Sequence, residues 1–139
     1  MTSLTRRYPF SASHRLHTER LGPEENRRVF GKCNNPYGHG HNYFLEVTMA
    51  GETHAPTGLL APVSRLDAHV RQAVLARLDH ANLNELPEFA ERVPTTENLG
   101  LQIGRWLDQD WAQVGPVRLA RLRLEETGSN AVEIEFHGS

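Results

Sequence analysis

YFLEVTM, residues 43–49, is the stretch whose reading decides the fold. Tyr43, Leu45, Val47 and Met49 alternate with Phe44, Glu46 and Thr48, the two-residue period of a strand with one apolar face. Upstream, the segment from Tyr8 to Ala12 supplies a second strand to pair with it. Downstream, residues Gly51 to Pro62 are rich in Gly, Pro and Thr and turn the chain. Ser64 then offers a helix cap, and Leu66, Val70, Ala73, Val74, Ala76 and Leu78 draw an apolar stripe of helical spacing that stops near Asp79. After the polar, irregular LDHANLNELPEF (78–89), Thr95 or Thr96 can cap a second helix that buries Leu99, Ile103, Trp106 and Leu107. Beyond Gly115-Pro116, Ala120, Leu122 and Leu124 alternate with Arg121 and Arg123, and Val132, Ile134 and Phe136 with Glu133 and Glu135. These are two more strands, joined by a turn through Gly128, Ser129 and Asn130. The predicted order is β-β-α-α-β-β: an α+β fold with a four-stranded antiparallel sheet and both helices on one face. Open edges of such a sheet invite closure by neighbouring subunits, so a ring-forming oligomer is expected.

One domain spanning 1–139 suits the length, and neither repeats nor a linker divides it. Hydrophobic residues at 38% and charged residues at 23% are the composition of a globular chain. No apolar run approaches the roughly 18 to 20 residues of a spanning helix, so no membrane partner is expected. MTSLTRRYPF (1–10) lacks the apolar core of a signal peptide, and a cytoplasmic location follows as the expectation. A net charge of -2 with interspersed signs argues against nucleic acid. Cys33, the sole cysteine, has no partner for an intramolecular disulfide and is free for packing, metal or chemistry. Fourteen of the fifteen basic side chains are arginine, Lys32 being the exception.

His39 and His41 are two apart, so on an extended segment both imidazoles point to one side, and Gly40 leaves room for a ligand. His14, at or just past the end of the first strand, is a third imidazole on a neighbouring strand. Three histidines without a fourth protein ligand suit a catalytic zinc, which keeps a position open. His17, His54, His69 and His137 have no such company. Cys33 has three readings: a fourth ligand closing a structural site, a thiol acting as base, or a small buried apolar residue. Asp79-His80 is either a proton relay or a helix end with its cap. Of Glu125 and Glu126, consecutive on a strand, at most one enters a given pocket; it is then either a solvated acid or a buried acceptor for a planar amidine-like ring edge.

FSASHRL, FGKCNNPYGHGHNY, LDHANLN, PTTENL and EET together resemble the 6-pyruvoyl-tetrahydropterin synthase family, in the same order and at similar separations, from about Tyr8 to Phe136. The resemblance implies the tunnelling fold (T-fold), in which subunits close into a trimeric barrel and two trimers stack as a hexamer. It implies zinc on His14, His39 and His41, and a catalytic set of Cys33, Asp79 and His80, the last two from a neighbouring subunit. It implies that Glu126 anchors a pterin ring in a pocket lined by Thr95 and Thr96. The implied reaction converts 7,8-dihydroneopterin triphosphate to 6-pyruvoyl-tetrahydropterin with loss of triphosphate, as a lyase. Zinc polarises the side-chain hydroxyls, Cys33 removes a carbon proton and His80 with Asp79 shuttles another. Related enzymes make 6-carboxy-tetrahydropterin for queuosine and typically show Cys-x3-His-Gly-His. The five residues between Cys33 and His39 here favour the pyruvoyl product. The alternatives are that carboxy enzyme and a noncatalytic pterin-binding zinc module. One departure from the family pattern is Ala61-Pro62, where an acidic or amide residue usually precedes the helix.

Overall fold

The computed structural model describes residues 1–137; Gly138 and Ser139, the end of the expected 1–139 domain, lie outside the described residues. Strand β1 (Thr2–His14) pairs antiparallel with β2 (His39–Gly51), β2 with β4 (Arg118–Glu126), and β4 with β5 (Asn130–Glu135). Both first strands are longer than the alternation predicts, because backbone pairing continues where the apolar pattern has given way to Ser11, Ser13 and Asn42. The sheet is also not the predicted four-stranded antiparallel one. Among the described residues it has five strands in the order β3-β1-β2-β4-β5, and the extra β3 (Ala81–Asn82) runs parallel to Ala12 and Ser13 of β1. Its two residues satisfy part of an edge that would otherwise stay open.

The first predicted helix forms as α2 (Val63–Val70), a π turn (Arg71–Leu75) and α3 (Ala76–Leu78). Its cap is Pro62 and not Ser64, because proline's fixed backbone angle already enters the helix and leaves Ser64 inside the first turn. The second helix, α4 (Thr96–Asp108), is capped by Thr95, whose hydroxyl accepts from the Asn98 amide at 3.1 Å. Sequence alternation missed α1 (Pro23–Phe30). Only Val29 and Phe30 are large and apolar there, though Pro23 at its start, Glu24 and Glu25 in its first turn and Arg27 and Arg28 in its last are all end signals.

Tyr8, Phe10 and Ala12 of β1, Tyr43 to Met49 in alternation on β2, and Leu122 and Leu124 of β4 point to one face. That face packs into a single core with Leu66, Val70, Val74 and Leu78 of the first helical run and Leu99, Ile103, Trp106 and Leu107 of α4. The opposite face is charged: Arg7 lies 4.1 Å over the Phe44 ring and reaches Glu46 at 3.4 Å and Glu125 at 3.3 Å. Among the described residues no helix is long and apolar enough to cross a membrane.

Candidate functional site

Parity and register bring the imidazoles together. His14 ends β1 directly opposite His39, and Ala12 lies opposite His41, so all three histidines project from the core-facing side at one end of the sheet. Ring centroids are 4.7 Å apart for His14 and His41 and 4.5 Å for His39 and His41. His14 is buried, His41 half-buried and His39 exposed.

Cys33 arrives from the 3-10 turn Gly31–Asn34. Its carbonyl accepts from the Leu16 amide at 2.7 Å, pinning the turn to the chain just beyond β1. The loop then closes on itself, Gly38 donating to the Asn35 carbonyl at 2.9 Å. Gly38 has φ 82, a left-handed backbone that side chains rarely adopt, so this return favours glycine. The fold-back leaves Cys33 Sγ 4.0 Å from His41 Nε2. Donor atoms of His14, Cys33 and His41 all lie within 4.8 Å of one another; among the described residues His39, expected as the third ligand, is outside this group and Cys33 takes its place. A tetrahedral ion holding nitrogen and sulfur at about 2.0–2.3 Å spaces its ligands at roughly 3.5 Å, so a small contraction would seat one.

The chemistry of His14 fits such an ion. Its Nδ1 is 3.0 Å from the carbonyl of Pro94; a carbonyl can only accept, so Nδ1 carries the proton and Nε2 has the lone pair. That Nε2 is buried and unpartnered. Burial, then the neighbouring His41, lowers the His14 pKa, and burial likewise lowers that of His41, so both favour the neutral, ligating form. The Cys33 thiol is pushed up by burial first and by the Glu126 carboxylate second. A dication beside it would reverse that balance.

Glu126 faces the same end of the core at 7% exposure, with Glu125 turned to the charged face. Thr96 Oγ1 donates to its Oε2 at 2.8 Å, and Oε1 lies 3.8 Å from His41 Nδ1. Thr96 is thus next to the carboxylate, whereas Thr95 is engaged as the helix cap. One group at this end escaped the sequence reading. Tyr43, expected only as a core residue, stacks on Phe10 at 4.9 Å and sits opposite Glu126 in the ladder, and its hydroxyl is buried without a partner.

Asp79 and His80 are not with the cluster. They follow α3 at the β1 edge, where the Asp79 carboxylate accepts from the Ser11 amide at 3.0 Å and the His80 amide donates to the Ser11 carbonyl. His80 Nδ1 is 3.2 Å from Asp79 Oδ1, so the two do touch. His80 is held at φ 63, is 84% exposed, and lines a hollow of about 320 Å3 with Ser11, Ala12, Ser13, His41 and Asn42. The hollow lies along the β1 edge and reaches His41, while among the described residues no hydrogen bond joins Asp79 or His80 to the cluster. Of the other histidines, His69 is buried against the Leu107 carbonyl at 2.9 Å, and His17 and His54 make local contacts with Glu19 and Thr57.

Among known proteins, the family model for 6-pyruvoyl tetrahydropterin synthase matches residues 3–136. The chain is 45% identical over 131 residues to 6-pyruvoyl tetrahydrobiopterin synthase of Poecilia reticulata, spanning 93% of this chain and 86% of that protein. The Homo sapiens protein of the same name is 44% identical, over 93% of this chain and 88% of its own. The structure of Caenorhabditis elegans 6-pyruvoyl tetrahydropterin synthase superposes with a TM-score of 0.87 at 34% identity, covering 99% of this chain and 96% of that one.

Proposed function

We propose, from the premise that the chain belongs to the 6-pyruvoyl tetrahydropterin synthase family, that it converts 7,8-dihydroneopterin triphosphate to 6-pyruvoyl-tetrahydropterin and triphosphate, as a metal-dependent lyase. The observation that carries the metal is the buried, idle Nε2 of His14, aimed by the Pro94 carbonyl into a cluster of neutral donors. His14, His39 and His41 would hold the ion, and their all-neutral donor set suits zinc. Bound there, zinc would supply Lewis acidity to the substrate's side-chain hydroxyls, easing removal of the adjacent carbon protons.

Glu126 receives the pterin's planar N–H edge with its Oε1, while Thr96 holds Oε2 and fixes the plane of the carboxylate. Thr95, through its cap, sets the start of α4 that carries Thr96. Cys33, pinned through Leu16, takes a proton from the substrate side chain at Sγ. Asp79 orients His80 for a second proton transfer. Because that pair sits at the β1 edge with no bond to the cluster of its own chain, it serves the cluster of a neighbouring subunit, and the working enzyme is a closed oligomer: T-fold barrels of three chains, stacked as a hexamer, in the cytoplasm.

The decisive test is mass identification of the product from dihydroneopterin triphosphate, with and without sulfite or a reductase. A pyruvoyl pterin supports this function. A carboxy product assigns the chain to the queuosine branch, and binding without turnover makes it a pterin-binding module. Cys33→Ala is expected to abolish triphosphate release while zinc content, measured by plasma mass spectrometry, stays unchanged. Surviving activity would remove Cys33 as the base.

A further inference from the structure

Beside His39, on the outer side of the Cys33 turn, lies a hollow of about 560 Å3. Arg15, Arg27 and Lys32 converge on it with His17, and no carboxylate is among its walls. The volume is that of a ligand site. Three elements deliver the cations: the chain after β1, the last turn of α1, and the 3-10 turn itself. They are also unneutralised. Among the described residues none of the three is paired with an acid, in contrast to Arg28, which is bound to Glu25, and to Arg6, Arg7 and Arg123, each held by a carboxylate. Glu19 is engaged by His17 and lines the adjoining hollow instead. The α1 dipole accounts for a cation at Arg27 but not for the convergence of Arg15 and Lys32 on the same space.

Arg15 is positioned as well as present. Its Nε donates to the Asn34 carbonyl at 3.2 Å, and Asn34, itself buried, is tied to the Leu16 carbonyl at 2.8 Å. One face of the guanidinium is thereby committed to the backbone, and its terminal nitrogens remain for an anion. Lys32 immediately precedes Cys33, and His39 stands between the hollow and His41.

We propose that this hollow is the seat of a linear polyphosphate, with Arg15, Arg27 and Lys32 as its ligands. The inference rests on the pterin-triphosphate reading above, for which it supplies the missing phosphate contacts. A ring anchored at Glu126, with its side chain passing Cys33 and His41, would extend its phosphates past His39 into this space. When the carbon–oxygen bond to the first phosphate breaks, its electron pair leaves on the phosphate oxygen. The three cations then hold the added negative charge.

The test is calorimetric titration of the full chain with inorganic tripolyphosphate, at matched zinc content, for wild type, Arg27→Gln, Lys32→Gln and the control Arg28→Gln. Loss of one charge-assisted contact is expected to weaken tripolyphosphate about tenfold in each of the first two, with Arg28→Gln unchanged. In turnover the same two variants should lower kcat/KM at least about tenfold, with kcat falling as well, and bind unphosphorylated dihydroneopterin as wild type does. Equal tripolyphosphate affinity in all four proteins overturns the assignment, as does parallel loss of affinity for dihydroneopterin, which would mark a merely structural role. If wild type binds tripolyphosphate through Arg27 and Lys32 but never releases it from the substrate, the hollow stands and the proposed reaction falls.

Discussion

His14 has one nitrogen committed and one idle, and the committed one explains why the idle one is available. A backbone carbonyl orients the ring in a way that no residue motif records, since any amino acid in place of Pro94 would present the same oxygen. Neither this contact nor the register that sets His14 against His39 was legible in the sequence. The same-side placement of His39 and His41 was, because it needs only the pleat. Glu126 was legible as one of an alternating pair; it shares the inward parity of Leu122 and Leu124, and Thr96 bonds it there. For Glu126→Gln, the amide oxygen can still accept from Thr96, so folding should hold, while pterin affinity in a binding titration is expected to fall by about ten- to a hundredfold. Unchanged affinity would take Glu126 out of the site. Tyr43 poses the opposite case: its buried hydroxyl has no partner, so Tyr43→Phe removes an unsatisfied group. Urea unfolding of the metal-free chain is expected to show stability unchanged or raised by about 1 kcal/mol. A marked loss would mean that the hydroxyl is satisfied in solution.

At the scale of elements, α2 is tied to β1 through one carboxylate. Asp67 accepts from Tyr8 at 2.6 Å and from two nitrogens of Arg6, at 2.8 and 3.2 Å. Arg6 holds the Asp67 pKa below its ordinary value. A carboxyl more acidic when folded than when unfolded stabilises the fold above its unfolded pKa of about 4, and loses that contribution as pH falls through the lower folded value. Asp67→Asn is therefore expected to lower the urea midpoint at pH 7, and its deficit against wild type should close as the solution is acidified through that window. A deficit constant with pH would show that the ionised form is not what matters. The long elements were readable because each repeats its apolar signal several times. The short ones were not: α1 has too few apolar residues to show a period, and β3 is two residues whose pairing exists only because β1 lies alongside.

For the whole molecule, the central fact is that Asp79 and His80 sit at the β1 edge, bonded to Ser11 and not to the cluster. A reading confined to one chain would have joined them. The resemblance implies a second chain for them, and their lack of a bond to the cluster accords with it. Mixed assemblies test this directly. Chains carrying Cys33→Ala and chains carrying His80→Ala should each be inactive; dissociated, mixed and reassembled, they should regain roughly one quarter of wild-type activity, since a random subunit interface joins two intact halves that often. No recovery would return both residues to a single chain.

The left-handed backbone at His80, set with its carboxylate partner at the edge of the sheet, has a consequence beyond the test tube. In the proposed assembly each polypeptide would carry half of two workplaces and the whole of none, so output would track encounters between copies and not merely their number. A cell that makes half as many copies near the association threshold would lose more than half of its capacity. A damaged copy would silence an undamaged neighbour.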